Sequence, residues 1–161
     1  MRGVWKSFSD VVVANTAVES TLFGTGVGSR RLREWFWDDF QVLRLLMHGT
    51  ISTAAIAPTL TFNLKIGAQT VYSPVMAATI PGLGLSPFML EIFVSSRAGG
   101  TDGSLIVSSN MQVGATPILN PPALAVLANP GEAAQIDLTA QWNNAAVLNR
   151  ISQRNMFLEH Y

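Results

Sequence analysis

The sequence predicts an all-β fold, an antiparallel β-sandwich or jelly roll of eight to nine strands. Short runs rich in Val, Ile, Thr, Phe and Leu recur along the 161 residues, separated by clusters of Gly, Pro, Asn and Ser at fairly regular spacing. Antiparallel sheets with short connections read this way. Segments near residues 59–66 and 135–142 alternate strictly between apolar and polar side chains, and few stretches keep the 3.6-residue period of a helix. The length lies inside the usual range of about 50–250 residues for one domain, and composition never changes abruptly, so a single domain over residues 1–161 is expected. Residues 1–15 read as an N-terminal arm or an edge strand.

Expected strands lie near Val11–Ala14, Glu19–Val27, Phe40–His48, Thr59–Ile66, Gln69–Tyr72, Phe88–Arg97, Ser104–Val113, Ala134–Trp142 and Arg150–Glu159. In the fourth, Leu60, Phe62, Leu64 and Ile66 fall on one face, and Thr59, Thr61, Asn63 and Lys65 on the other, the pattern of a half-buried strand. Gly67-Ala68 then offers a two-residue reversal into Gln69–Tyr72, because Gly reaches positive φ without steric cost. Toward the C-terminus, Ile136, Leu138, Ala140 and Trp142 alternate with Gln135, Asp137, Thr139 and Gln141, and Asn143-Asn144 supplies turn chemistry. The last strand, with Ile151, Gln153, Asn155, Phe157 and Glu159 in phase, is expected to pair beside that one.

Two regions break the pattern. Arg30 to Asp39, RRLREWFWDD, crowds charges against large aromatics without a period of two or 3.6, and reads as a loop or a short helical turn. Between Asn110 and Gly131 stand Pro117, Pro121, Pro122 and Pro130, whose locked φ and missing N–H suit an edge or an irregular excursion. That excursion is a candidate contact loop.

Composition points to a surface that is covered. Hydrophobic residues make up 48% and charged residues 12% of the chain, against about 25% charged in ordinary soluble domains. No Asp, Glu, Lys or Arg occurs from Ile66 to Leu90 or from Gly103 to Gly131, and neutral stretches of this length suggest surface hidden by neighbours. A membrane is not the expected cover: the most apolar piece, Ile118 to Ala128, is far shorter than the roughly 20 residues of a spanning helix and contains Pro121 and Pro122. The opening MRGVWKSFSD has no apolar run before a small-residue cleavage site and does not read as a secretory signal. Zero cysteines remove disulfides, thiolate zinc sites and thiol nucleophiles. Ten acidic and ten basic side chains cancel, so no long-range field favours nucleic acid.

Chemistry-bearing motifs are sparse. Gly24-Thr-Gly26-Val-Gly28 lacks the spacing and following helix of a phosphate loop and reads as turn or bulge glycines. His48 and His160 are the only histidines and share no metal-ligand spacing; His48, beside Gly49, reads as a strand-end residue. No GxSxG elbow supports a Ser-His-Asp triad. No spacing singles out a carboxylate pair among Glu34, Asp38, Asp39, Glu91, Asp102, Glu132, Asp137 and Glu159. The expectation is no enzyme, no cofactor and no metal. Arg30, Arg31 and Arg33 interleaved with Trp35, Phe36 and Trp37 look like a nucleic-acid grip, but Glu34, Asp38 and Asp39 cancel the charge. Trp and Arg are instead the types enriched at the energetic centres of protein interfaces. The candidate interface is therefore Arg30, Arg31, Arg33, Trp35, Phe36 and Trp37, with Pro117, Pro121 and Pro122 in the loop.

Several pieces resemble tailed-bacteriophage virion structural proteins: Asn15–Phe23, Gly49–Ala55, Pro58–Gly67, and Ile136–Trp142 followed by Asn149 and Glu159. The most specific is the closing pattern, an alternating strand ending in Gln-Trp, a short polar-Ala loop, an Asn, and a last strand with a late Glu. The resemblance spans most of the chain from about Asn15 and departs at Arg30–Trp37, where such chains carry an Ile-Pro-Ala-Asn type turn. It implies a jelly-roll domain of a capsid decoration, head fibre or tail part, commonly a homotrimer, without catalytic residues. The expectation that follows is a virion protein assembled in the host bacterial cytoplasm: a decoration or cement protein whose partner is the major capsid protein or other virion proteins. The rival is a head-fibre, tail-fibre or baseplate component that meets a host glycan or partner protein.

Overall fold

The alternation read in residues 59–66 is realised side chain by side chain in a computed structural model, which describes residues 2–39, 41–55, 58–76, 82–98, 103–129 and 131–161. Its strands are β1 (Arg2–Ser7), β2 (Val11–Ala14), β3 (Ser20–Thr21), β4 (Gly26–Gly28), β5 (Val42–Ser52), β6 (Leu60–Ile66), β7 (Gln69–Tyr72), β8 (Val75–Met76), β9 (Ser86–Ala98), β10 (Ser104–Val113), β11 (Thr116–Leu119), β12 (Ala123–Val126), β13 (Ile136–Trp142) and β14 (Arg150–His160). One 3-10 turn, η1 (Phe36–Asp39), precedes β5. No helix among the described residues is long and apolar enough to cross a membrane.

The strands form an antiparallel β-sandwich. A nine-stranded sheet runs β11-β10-β9-β5-β14-β1-β4, with β12 also on β10 and β2 also on β14; a five-stranded sheet runs β3-β13-β6-β7, with β8 also on β6. Leu60, Phe62 and Leu64 of β6 and Ile136, Leu138 and Trp142 of β13 point inward from the smaller sheet. They meet Leu43, Leu45 and Met47 of β5, Leu90 and Ile92 of β9, and Met156 and Leu158 of β14 in one core. The β5–β6 and β13–β14 connections cross between the sheets side by side: β5 pairs β14 in one sheet while β6 pairs β13 in the other. That paired winding is the jelly-roll feature of the sandwich.

β2, β7 and β10 have the expected bounds, and the β6–β7 hairpin turns on Gly67 at φ +61°, the first-position glycine of a two-residue reversal. The strand count is larger than eight to nine because short edge strands such as β3, β4, β8, β11 and β12 add to the long ones. Residues 1–15 hold an interior strand, since β1 is flanked by β14 and β4. The expected strand Glu19–Val27 is two strands in different sheets: β3 pairs β13 and β4 pairs β1, and the chain between them drops Leu22 and Phe23 into the core. Phe40, the expected start of the next strand, and Pro130 lie outside the described residues.

Two expectations are corrected near the C-terminus. β14 pairs β5, β1 and β2, not β13. Nor is it in phase throughout, because a bulge at Arg154 sets Gln153 opposite Gly49 and Asn155 opposite His48. Before it Ile151 and Gln153 are buried; after it Met156 and Leu158 are, and Phe157 and Glu159 turn outward. His48 is likewise not at a strand end, since β5 continues to Ser52. Buried Asn149 organises this crossing: its Oδ1 accepts from Ala54 N–H at 2.9 Å and its Nδ2 donates to Asn144 Oδ1 at 2.9 Å.

Candidate functional site

Each half of the Arg30–Asp39 segment is held differently. Arg30 to Leu32 runs antiparallel to the entrance of β13: Ile136 N–H donates to Arg30 O at 2.9 Å and Leu32 N–H to Ala134 O at 2.8 Å. Half-buried Arg30 lies over the Phe23 ring at 4.8 Å and 3.7 Å from Asp137, while Arg31 and Arg33 are exposed. η1 then turns the aromatic pair inward. Phe36 and Trp37 meet edge to face at 4.8 Å, Phe36 stacks on His160 at 6.0 Å, and Ser96 Oγ donates to Trp37 O at 2.7 Å. The candidate interface is thus corrected at two positions: Phe36 and Trp37 belong to the core, and Trp35, 53% exposed, is the aromatic of the three that faces solvent.

The proline segment forms edges. Pro117 pairs Gln112 in β11, where a missing N–H is tolerated, and β11 and β12 both lie on β10. Pro121 and Pro122 wall an open cleft of about 530 Å³ with Tyr72, Ser73 and Pro74. Two side chains of β7 clip this excursion to the smaller sheet. Tyr72 Oη donates to Pro121 O at 3.2 Å, and the Gln69 amide donates to Val126 O at 2.5 Å and accepts from Ala128 N–H at 2.8 Å.

The two outer faces differ in chemistry. That of the smaller sheet is polar along its central strands, with Thr61, Asn63 and Lys65 of β6 and Asp137, Thr139 and Gln141 of β13, and carries exposed Val75 on β8 beside Thr61. Glu19 ties it together, accepting from Lys65 Nζ at 2.7 Å, Asn63 Nδ2 at 3.0 Å and Thr139 Oγ1. The Lys65 hydrogen bond, then that of Thr139, holds the Glu19 carboxyl below its ordinary value of 4.5. A lowered folded pKa contributes stability above the unfolded value, lost as pH falls through the folded one. Melting temperature is therefore expected to fall below about pH 4.5 more steeply in the wild type than in Glu19→Gln. Equal slopes in thermal melts between pH 6 and 3 would show that this carboxylate adds nothing.

The outer face of the larger sheet is rich in apolar side chains. One row across it reads Val27, Lys6, Phe157, Leu46, Glu91, Asn110 and Leu119, as the strand registers dictate. A second reads Val42, Ser95, Ile106 and Leu124. Leu119 is 86% exposed, and Ile106, Leu124 and Val126 are also open to solvent. One charged cluster interrupts the face: Arg44 contacts Glu91 at 2.6 Å and Glu159 at 3.2 Å, and Glu91 pushes the guanidinium pKa further up. At the other end Lys6 lies over Phe157 at 5.2 Å and over exposed Phe8 at 5.8 Å.

Sequence reasoning located the neutral stretch Gly103–Gly131 but not the residues Ile106, Leu119, Leu124 and Val126 within it. The signal was present, since Leu105–Val107 and Ala123–Leu127 are apolar without alternation, as in strands covered on both faces. Among the described residues no three His, Cys, Asp or Glu side chains gather as a metal cluster. The Gly24–Gly28 glycines serve close packing: a Cβ on Gly26 would sit 2.4 Å from Lys6 O and the Trp5 ring.

No protein-family model matches the chain, and no curated protein matches it. Among solved structures it is similar to the CBM2 module of the evolved Dit of Lactobacillus casei BL23 phage J-1, with 10% identity, coverage of 74% of this chain and 61% of that one, and a TM-score of 0.35. The chain therefore spans about 61% of the length of that module's chain. It is also similar to the polysaccharide lyase family 18 structure aly-SJ02 r-CATD, with 8% identity, coverage of 96% and 89%, and a TM-score of 0.37.

Proposed function

We propose that the chain is a structural component of a bacteriophage virion, a capsid decoration or cement protein that binds the assembled shell and stabilises it. The observation that carries this reading is the unequal chemistry of the two outer faces. Solvent alone does not call for Leu119, Leu124, Val126 and Ile106 at the edge of one face while the other is wholly polar along β6 and β13. Apolar area of this kind is what an assembly covers. The phage assignment itself is supported by the sequence resemblance, above all by the Gln-Trp strand, the Asn149 hub and the late Glu159. A ligand that binds only the assembled state stabilises that state by mass action, and identical chains hiding one apolar patch favour closed symmetry, which the sequence resemblance makes a homotrimer.

The expected result is that Leu119→Asp with Leu124→Asp leaves melting within about 0.5 kcal/mol of wild type, as for exposed sites, yet weakens binding to protein-stripped particles at least tenfold. Particles lacking the protein should break at lower temperature or milder osmotic shock. Equal survival of stripped and complete particles sinks the cementing role, and a stable monomer in sedimentation at low concentration sinks the trimer.

A second reading keeps the fold and places it on a head fibre, tail fibre or baseplate. The exposure of Trp35 on a loop, unlike the buried Trp5, Trp37 and Trp142, favours this recognition role. A map of the intact particle separates the two positions.

A further inference from the structure

We infer that Trp35 and the turn beneath it form a binding platform for an uncharged hexopyranose unit of a surface polysaccharide. The inference deepens the recognition reading and rests on it. Trp35 has φ +57°, a left-handed backbone that β-carbon residues adopt at a cost and that collects at functional sites. Folding gains little from it, because the side chain so placed remains 53% exposed. The ring is nevertheless fixed. Trp35 N–H donates to Gly131 O at 3.2 Å, and a Cβ on Gly131 would stand 2.7 Å from Trp35 Cη2 and 2.8 Å from Cζ3. Glycine thus lets the six-membered ring rest directly against the backbone while the side chain stays half exposed. A seated, amphipathic indole that still meets solvent is a stacking surface.

The turn on which the ring rests also borders a cleft, whose lining does not include Trp35 itself. Asn129 and Glu132, on either side of Gly131 in sequence, line a cavity of about 330 Å³ with Gln69, Gln135, Leu127 and Ala134, and Glu132 N–H donates to Asn129 O at 3.2 Å to close the turn. Both ends of the Gln69 amide are committed to Val126 and Ala128, so Asn129, Glu132 and Gln135 are the remaining polar residues along the cleft. Amides and one carboxylate match hydroxyl donors and acceptors, and none of the described residues lining the cleft is basic, as a phosphate or uronate would need. An apolar sugar face on the indole with hydroxyls over the turn is the occupant this chemistry fits.

The test uses the full chain and an array of neutral hexopyranose oligosaccharides, followed by titration of the best binder. Trp35 is the exposed one of the chain's four tryptophans, so acrylamide quenching of fluorescence reports on it, and bound sugar should protect it. Trp35→Ala is expected to weaken binding at least tenfold with unchanged melting. Trp35→Phe should keep part of the affinity, and Gly131→Ala, which pushes the ring off its seat, should lose several-fold. Absence of any binder on the array overturns the inference, as does a binder indifferent to Trp35→Ala. Loss of particle incorporation in Trp35→Ala without any sugar binding would assign Trp35 to a protein contact instead. A particle map that places the chain only against the shell would overturn the recognition reading, and the titration judges the platform separately.

Discussion

Gly49→Ala is expected to destabilise the domain by about 3 kcal/mol, at the upper end of the range for overpacking an interior site, and to lower the melting temperature by roughly 6–12 °C for a domain of this size. The cause lies in the neighbouring strand. β14 carries one extra residue at Arg154, so its backbone swings toward β5 where Gln153 faces Gly49. A Cβ on Gly49 would sit 1.9 Å from Ser152 O and 2.8 Å from the Phe88 ring. Backbone cannot yield cheaply there, because β5 is held by β14 on one side and β9 on the other over ten paired positions each. Gly84→Ala provides the control: nothing lies within 4 Å of its Cβ position, so its change should stay within about 0.5 kcal/mol. If both variants melt alike, Gly49 is not the residue that admits the bulge.

Trp142→Ala is expected to cost about 3–5 kcal/mol, the range for emptying a large aromatic site in a core. Folded domains hold only about 5–15 kcal/mol in total, so the variant should lie close to unfolding at room temperature. Trp142 has no solvent exposure. Its indole also crosses the sandwich: from β13 in the smaller sheet, Nε1–H donates to Val13 O of β2 in the larger one at 3.4 Å. Trp142→Phe keeps most of the apolar volume and gives up that bond, so its loss should be visibly smaller. Urea titration of the three proteins decides the point, and a Trp142→Ala midpoint equal to wild type would remove this residue from the centre of the core.

Neither position stands out by residue type alone. Trp142 was legible as an inward residue because Ile136, Leu138 and Ala140 share its phase, and the structure buries all four. Gly49 was legible only as a glycine after a histidine, since the bulge that requires it lies more than a hundred residues away at Arg154. The Arg30–Asp39 segment shows the same division. Its composition marked it as unusual, but Phe36, Trp37 and Trp35 are alike in sequence and differ in fate. His160 and β9, distant in sequence, accept the first two, while Gly131 seats the third at the surface.

The amino-acid order by itself determined that the chain is built of antiparallel strands, where β2, β6, β7, β10 and β13 run, and that Gly67 reverses the chain. Those properties are local, because the pleat fixes a period of two and a turn needs only its own residues. Tertiary structure alone decided that residues 19–27 divide between two sheets, that β14 joins β5 and not β13, that Phe36 and Trp37 are buried, and that exposed Ile106, Leu119, Leu124 and Val126 share one outer face. Such choices depend on partners far along the chain, selected by closing a shared core and satisfying backbone hydrogen bonds, and no window of sequence contains both members of those pairs.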